Sequence, residues 1–196
     1  MKVLITGATG LIGKEIVKRC HEQNISVNYL TTSKDKIEVQ DNYKGFYWNP
    51  NKDIIDRDCF EDVDAIINLA GASIAKRWTK SYKNTIIESR VKSLQCLKNG
   101  LSKVESHHVK QILSASAIGF YPNSLTKYYD ESCMKQSPTF LGEVVSAWER
   151  AVDEFSELGL LVSKVRIGLV LDANEGALPQ MAKPIKYGVG SAFGSG

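Results

Sequence analysis

A short apolar run at the start of the chain leads directly into a glycine-rich loop, and this junction constrains the fold most. Lys2–Thr6 (KVLIT) is apolar and β-branched, which is typical of a buried parallel strand. The loop GATGLIG follows, and apolar residues then recur at helical spacing from Leu11 to Cys20. A helix that begins at such a loop presents free backbone N–H groups, which favour a phosphate.

Each glycine of this loop has a physical role in a dinucleotide-binding turn. Gly7 permits the tight turn, Gly10 lets the backbone approach a pyrophosphate, and Gly13 lets the helix pack close to the sheet. A P-loop does not fit, because Ala8 stands where the first Walker glycine belongs and Glu15 where Ser or Thr should bind Mg²⁺. A glycine-rich turn without a ligand is the weaker alternative, so the loop predicts dinucleotide binding.

Strand and helix patterns alternate along the rest of the chain. The predicted strands are Ile25–Thr31, Lys44–Trp48, Asp64–Ala70, Lys110–Ser116 and Leu160–Leu171, and the predicted helices are about Ser81–Leu101 and Pro138–Leu158. This alternation predicts an α/β fold, a Rossmann-type doubly wound parallel sheet with helices on both faces. We assign residues 1–171 to an NAD(P)-binding Rossmann domain. Residues 172–196 are glycine-rich and close no element, which predicts the start of an incomplete, truncated C-terminal substrate-side lobe.

The composition excludes several other classes of protein. The net charge is only +3 and the charges alternate in sign, which does not favour a nucleic-acid partner. No apolar run approaches the roughly 18 residues that span a bilayer, and no signal peptide is recognisable, so we expect a cytoplasmic protein without a membrane partner. The four cysteines are far apart in the sequence, which predicts free thiols and no metal site.

Motifs along essentially the whole chain resemble those of the extended short-chain dehydrogenase/reductase superfamily. They are ITGATGLIG, DAIINLAGASIAKRWT, SRVKS, SASAIGFY, FLGEVVSAWE, VRIGLVL and GVGSAFGSG, in this order. Within the superfamily the chain is similar to the epimerase-family group, whose members are described as NAD-dependent epimerase/dehydratase-like or sugar nucleotide epimerase-like. In that family the chain continues past the terminal loop into a substrate-side segment.

The resemblance implies a set of cofactor-binding residues. Those expected at the pyrophosphate are Gly7, Thr9, Gly10, Leu11 and Ile12, and those expected beside the adenosine and ribose are Leu69, Ala70 and Gly71. Ser114 lies two residues before Ser116, the expected catalytic serine, and on the same face of the same strand. Arg90 stands where the superfamily has a neutral asparagine. The alternative for Arg90 is a surface ion pair with an acid such as Glu88.

The expected catalytic residues match those of the superfamily only in part. Ser116 matches the catalytic serine at the end of its strand. In active members a later helix opens with Tyr-x-x-x-Lys, in which the tyrosine is the general acid/base and the lysine lowers its pKa. Phe140 and Val144 stand at those positions here, so we expect ordinary tyrosine-dependent hydride transfer to be absent. Tyr121, from the loop after the serine strand, is the first candidate for the proton donor, and Tyr128 and Tyr129 of the same loop are weaker candidates.

The start of this later helix also carries a structural prediction. Ser137 is expected to be the N-cap and Pro138 the first helical residue. The apolar residues that recur on one helical face, and are therefore expected to be buried, are Phe140, Val144, Trp148 and Ala151.

The end of the second predicted strand bears on the choice of cofactor. A site that prefers NAD usually has Asp or Glu there to bind the ribose 2′-hydroxyl. This strand ends instead in Thr32, Ser33 and Lys34, whose hydroxyls and cation suit the 2′-phosphate of NADP. Asp35 is the counter-argument, because a slightly longer strand would bring it into the acidic position. The prediction is therefore NADP, with NAD as the alternative.

Two functions from different classes follow from these residues. The first is an NAD(P)-binding epimerase/dehydratase-like or oxidoreductase protein whose substrate is small and polar, with sugar nucleotides as one candidate class. The second is a non-catalytic dinucleotide-binding sensor or interaction module, which the replacement of Tyr-x-x-x-Lys by Phe140 and Val144 favours. A small-molecule substrate and a homodimer through the middle helices are the expected partners.

Overall fold

Strands and helices alternate along the described part of the chain. The structure is a computed structural model that describes residues 1–191. The strands are β1 (Lys2–Thr6), β2 (Ser26–Thr31), β3 (Val39–Gln40), β4 (Tyr43–Asn49), β5 (Ile54–Ile55), β6 (Ala65–Asn68), β7 (Gln111–Ala117) and β8 (Leu161–Ile167). The helices are α1 (Leu11–Glu22), α2 (Lys80–Leu101), α3 (Phe140–Asp153) and α4 (Ala177–Lys186). Short 3₁₀ helices cover Lys34–Lys36, Pro50–Lys52, Arg57–Phe60, Ile118–Phe120 and Glu154–Leu158.

The strands form one mostly parallel sheet. Their order is β3-β4-β2-β1-β6-β7-β8, and β5 pairs with β4. β1 runs parallel to β2 and β6, β2 runs parallel to β4, and β6 runs parallel to β7. Only the two-residue strands β3 and β5 pair in antiparallel fashion with β4. The chain therefore winds outward in both directions from β1, which confirms the predicted doubly wound fold. Ligands bind such sheets beyond the carboxyl ends of the strands, where the order reverses.

Side chains from both faces of β1 are buried. Val3 and Ile5 belong to a core cluster against which Ile16 and Val17 of α1 pack. Leu4 lies between them in the strand, so it points to the opposite face, and it is fully buried there. A strand that is apolar on both faces is typical of a parallel sheet covered on both sides.

Several predicted element ends were wrong by a few residues. The strand expected to reach Leu171 ends at Ile167, and the strand expected over residues 64–70 covers only Ala65–Asn68. The last helix of the sheet domain begins at Phe140, not Pro138, and its N-cap is Thr139, whose Oγ1 accepts a hydrogen bond from the Gly142 N–H at 3.2 Å. β3 and β5 were missed because two residues carry no readable periodicity.

The chain divides into two compact units, Met1–Arg166 and the part that starts at Ile167. The second unit contains α4, with Pro184 inside it, and an antiparallel bridge between Leu171 and Gly176. The expectation that this stretch closes no element was therefore wrong. The last five residues of the GVGSAFGSG motif, 192–196, lie outside the described residues.

Candidate functional site

The glycine loop is a tight turn that packs against the end of a neighbouring strand. Gly7 adopts φ +74°, a left-handed conformation that favours glycine, and a Cβ there would lie 3.1 Å from the carbonyl carbon of Leu69. The Gly10 N–H donates to the Gly7 carbonyl oxygen at 3.0 Å. A Cβ on Gly13 would lie 2.1 Å from that oxygen. The sharp turn and the close approach of α1 both depend on the absence of side chains.

A buried row of polar side chains ties the carboxyl ends of β1 and β6 to the middle of β7. Thr6, Asn68 and Ser114 are register neighbours on β1, β6 and β7, and each is 0 % exposed. Thr6 Oγ1 donates to Asn68 Oδ1 at 2.8 Å, and Asn68 Nδ2 donates to Ser114 Oγ at 2.9 Å. Thr6 Oγ1 also accepts from the N–H groups of Leu69 and Ala70, each at 3.1 Å. The row therefore positions the loop that follows β6.

A pocket of about 660 Å³ lies at this edge of the sheet. Among the residues that line it are the predicted Gly7, Thr9, Thr32, Ser33, Ala70 and Gly71. Gly10 is the N-cap of α1, and Leu11 and Ile12 are its first two residues. Ser114 lies inside the sheet, where its hydroxyl is hydrogen-bonded to Asn68 and donates to the Ala115 carbonyl at 3.0 Å. The structure thus brings six of the predicted cofactor residues, from three segments, to the wall of one pocket. The predicted residues that do not line it are Gly10, Leu11, Ile12, Lys34, Leu69, Arg90 and Ser114.

The segment after β2 has a defined hydrogen-bonding arrangement. Ser33 Oγ donates to Asp35 Oδ1 at 2.7 Å, and this bond lowers the pKa of Asp35. The Lys34 Nζ lies over the Tyr47 ring, 5.1 Å from its centroid. Lys36, which the sequence reasoning did not single out, lines the pocket, and its carbonyl accepts from the Tyr29 hydroxyl at 2.7 Å.

The Arg90 side chain contacts the loop after β6. Its Nη1 donates to the carbonyl oxygens of Ile86 at 2.9 Å and Ala72 at 3.3 Å. Glu88 pairs instead with Lys92 at 2.8 Å. The surface ion pair between Arg90 and Glu88, one of the two alternatives for this arginine, is not formed.

Ser116 is hydrogen-bonded to a buried carboxylate. Its Oγ donates to Glu149 Oε1 of α3 at 2.5 Å, and the two residues are only 3 % and 6 % exposed. Arg166 of β8 binds both oxygens of the same carboxylate, from Nε at 2.8 Å and from Nη2 at 2.9 Å. Burial opposes ionisation of Glu149, but the hydrogen bonds from Arg166 and Ser116 outweigh it and lower the pKa of the carboxyl group.

Tyr121 joins the same network through the third guanidinium nitrogen. Arg166 Nη1 donates to the Tyr121 hydroxyl oxygen at 2.9 Å, and its guanidinium lies 3.9 Å from the centroid of the Phe120 ring. Hydrogen bonding to Glu149 is the main cause that raises the pKa of Arg166, so this cation stays charged. We call Ser116, Glu149, Arg166 and Tyr121 the serine–arginine network. It brings together the two residues that the sequence predicted to be catalytic.

The loop after β7 borders a second pocket, of about 790 Å³. Tyr121 and Tyr129 line it and stack with their ring centroids 5.6 Å apart. Tyr128, the other weaker candidate for a proton donor, is fully exposed. Glu149 and Arg166 line the same pocket, so the serine–arginine network borders it.

The positions that correspond to Tyr-x-x-x-Lys have packing roles. The Phe140 ring contacts the Trp78 ring at a centroid distance of 5.3 Å, and Lys83 Nζ lies 4.9 Å from the Phe140 centroid. Val144 is 3 % exposed. Trp78 therefore packs against the first residue of α3.

Sequence reasoning missed Glu149 and Arg166, although a signal for both was available. Glu149 directly follows the buried Trp148 on α3, and Arg166 is the charged residue of the otherwise apolar motif VRIGLVL. A charge within a buried segment needs a partner, and two such charges of opposite sign can satisfy each other.

Within residues 1–191 no cluster of His, Cys, Asp or Glu could hold a metal ion. In the same part of the chain, no helix has both the length and the apolar character that a bilayer crossing requires.

Several known proteins are similar to this chain in sequence. The model of the NAD dependent epimerase/dehydratase family matches residues 3–140. An epimerase family protein of Staphylococcus haemolyticus is 39% identical over 193 residues, which are 98% of this chain and 63% of the relative. The chain thus spans about two thirds of the length of the curated relatives it matches.

Solved structures agree with the sequence match. A human epimerase family protein, solved with NADPH, superposes with a TM-score of 0.76 at 25% identity over 100% of this chain and 63% of its own. A nucleoside-diphosphate sugar epimerase of Corynebacterium glutamicum superposes with a TM-score of 0.77 at 27% identity, over 100% of this chain and 39% of its own. The chain belongs to the NAD dependent epimerase/dehydratase family.

Proposed function

We propose that this chain is the NAD(P)-binding part of an oxidoreductase or epimerase that acts on a small polar substrate. The observation that carries the proposal is the glycine turn from Gly7 to Gly13, which borders the pocket of about 660 Å³ at the carboxyl ends of β1 and β2. A nicotinamide dinucleotide is the cofactor bound to the human relative. The substrate class to test first is the nucleoside-diphosphate sugars, because the Corynebacterium relative is described as an epimerase of such sugars.

The residues present fit such a cofactor. A Cβ on Gly10 would have a single neighbour within 4 Å, the Gly7 carbonyl oxygen at 3.3 Å, so the space beside Gly10 is otherwise open for a pyrophosphate to approach the backbone. Thr9 and the first turn of α1 would hold the phosphates, and Ala70 and Gly71 would lie beside the adenosine and ribose. When bound, the cofactor supplies hydride transfer.

The serine–arginine network would handle the proton. Ser116 donates its own hydrogen to Glu149, so its oxygen can accept a hydrogen bond from a substrate hydroxyl. When that hydroxyl loses its proton to Ser116, Ser116 would pass its own proton to the Glu149 carboxylate. Tyr121 accepts a hydrogen bond from Arg166, which leaves the phenol hydrogen free to donate. The two hydroxyls could therefore act as acceptor and donor without a Tyr-x-x-x-Lys pair.

NADP is the proposed form of the cofactor. Thr32, Ser33 and the cationic residue Lys36 line the pocket after β2. The carboxylate of Asp35 accepts a hydrogen bond from Ser33. The 2′-phosphate would be recognised by the cation and the hydroxyls together.

A non-catalytic dinucleotide-binding protein is the second candidate. One observation favours it: the residues at the positions of the usual acid/base pair have packing roles. Phe140 packs against Trp78, and Val144 is buried in the core. Such a protein would bind the cofactor with the same loop and turn over no substrate.

The two candidates differ in an assay of NADPH oxidation against a panel of carbonyl compounds and sugar nucleotides. We expect turnover by the wild type that Ser116→Ala and Tyr121→Phe abolish, and that Phe140→Ala leaves in place. Turnover that survived both substitutions in the network would refute this site assignment. Cofactor binding at micromolar concentration without any turnover would favour the non-catalytic protein.

A further inference from the structure

Two consecutive residues of α2 form hydrogen bonds with the loop that follows β6. Ser89 Oγ accepts a hydrogen bond from the Ala72 N–H at 2.9 Å. Arg90 Nη1 donates to the Ala72 carbonyl oxygen at 3.3 Å. Both backbone groups of one loop residue are therefore bonded to side chains of the same helical turn. Ala70, Gly71 and Ala72 all line the pocket that is proposed to bind the dinucleotide.

The Arg90 guanidinium is a planar layer between the loop and α3. A Cβ on Gly71 would lie 3.0 Å from Arg90 Cζ, so the loop backbone lies directly against the guanidinium. The group also lies over the Trp148 ring of α3, with Cζ 4.9 Å from its centroid. Gly71 is thus a position at which even a methyl group would press on this arginine.

Arg90 has no acidic partner among the described residues that explains its charge. Its Nη1 bonds go to two carbonyl oxygens, and its Nε is buried without a hydrogen-bond partner. Burial lowers the pKa of Arg90. A neutral amide could donate to the Ala72 carbonyl without this desolvation cost. Both bonds come from one nitrogen, Nη1, so an amide or a lysine could supply them as well. The feature that neither of them supplies is the planar guanidinium over the Trp148 ring.

We propose that Ser89 and Arg90 clamp Ala72 and thereby hold the Gly71 loop in the shape that accepts the dinucleotide. Arg90 is then a positioning residue for cofactor affinity, which acts through the loop backbone. The inference rests on the proposed function, because it assumes that the dinucleotide occupies the pocket lined by this loop.

The first test measures NADPH affinity by calorimetry for the wild type, Arg90→Gln, Arg90→Lys and the control Lys98→Gln. Lys98 lies on the same helix and pairs with Glu154 and Glu157, so its loss removes a cation and some stability without touching the loop. If the free loop keeps its binding shape a tenth of the time, the apparent Kd rises roughly tenfold in both Arg90 variants. We expect the wild-type Kd in Lys98→Gln. Recovery by Arg90→Lys would mean that charge alone matters and would overturn the clamp.

The second test needs no ligand. Hydrogen exchange of the Ala72 amide should be faster in Arg90→Gln than in the wild type, while the amides in the second half of α2 keep their protection. Gly71→Ala should weaken NADPH binding in the wild type and weaken it less in Arg90→Gln, where the group it presses on is gone. Equal NADPH affinity and equal Ala72 exchange in wild type and Arg90→Gln would refute the clamp alone. A wild type that bound neither NADPH nor NADH would refute the proposed function itself.

Discussion

The glycine turn and the serine–arginine network are built in different ways. The turn from Gly7 to Gly13 is a contiguous stretch in which backbone groups and missing side chains make the surface that is proposed to bind the cofactor. The network joins side chains from β7, α3 and β8, and its hydrogen bonds connect residues that are 33, 17 and 45 positions apart. One region depends on local chain geometry, and the other on the tertiary fold.

This difference determines how each region should fail. A side chain added to the turn occupies the space proposed for the dinucleotide. It leaves the core unchanged as long as it does not clash with backbone atoms. A side chain removed from the network leaves a buried charge or a buried hydrogen-bonding group without its partner. Substitutions in the turn should therefore affect binding first, and substitutions in the network should affect stability first.

The largest expected effect is the loss of stability in Arg166→Met. The change leaves the carboxylate of Glu149, which is 6 % exposed, without its bidentate partner. Breaking a buried pair in this way costs about 3–5 kcal/mol. Lys164→Met is the matched control on the same strand, because Lys164 pairs with the exposed Asp153 at 2.6 Å and should cost no more than about 1 kcal/mol. Urea unfolding would measure both, and equal losses would contradict the role of the buried pair.

Gly10→Val should separate binding from folding. Gly10 has φ −80°, which any residue adopts, and a Cβ there has only the Gly7 oxygen nearby, at 3.3 Å. We expect NADPH affinity to fall at least about a hundredfold, or about 2.7 kcal/mol, with an unfolding midpoint close to that of the wild type. Gly13→Ala is the contrasting variant, because its Cβ would lie 2.1 Å from the Gly7 oxygen and should destabilise the fold. Unchanged NADPH binding by folded Gly10→Val would disprove the assignment of the loop.

The pH dependence of stability should report the ionised state of Glu149. Its pKa is lower in the folded protein than the ordinary value of 4.5, so the ion pair contributes stability above that pH, and the contribution is lost as the pH falls through the folded pKa. The difference in unfolding free energy between wild type and Glu149→Gln should be constant near neutral pH and shrink below about pH 4.5. A difference that grew on acidification would contradict the lowered pKa.

The fold and the glycine turn were predictable because their signals are local. Apolar runs and their alternation identified the main strands, and the spacing of Gly7, Gly10 and Gly13 identified the turn. The sequence also placed Ser116 and Tyr121 among the candidates, and the structure shows that Arg166 and Glu149 connect them. That connection was not predictable, since no sequence pattern reports which distant strand and helix meet. The N-cap was assigned to Ser137 instead of Thr139 because both residues have the right chemistry and only the backbone decides.

The smallest expected effect is the change in cofactor preference when Lys36, after β2, is replaced. This test sharpens the comparison because the glycine turn and the segment after β2 border the same pocket. Lys36 lines the pocket, whereas the Lys34 cation lies over the Tyr47 ring. Lys36→Ala should therefore weaken NADPH binding by roughly tenfold, the value of one charge-assisted hydrogen bond, and leave NADH binding unchanged. Lys34→Ala is the matched control and should change neither affinity. Because Lys36 is exposed, the effect should decrease as the salt concentration rises. Calorimetry with both cofactors decides: tighter binding of NADH than of NADPH, unaffected by either substitution, would remove the case for NADP and leave NAD as the cofactor.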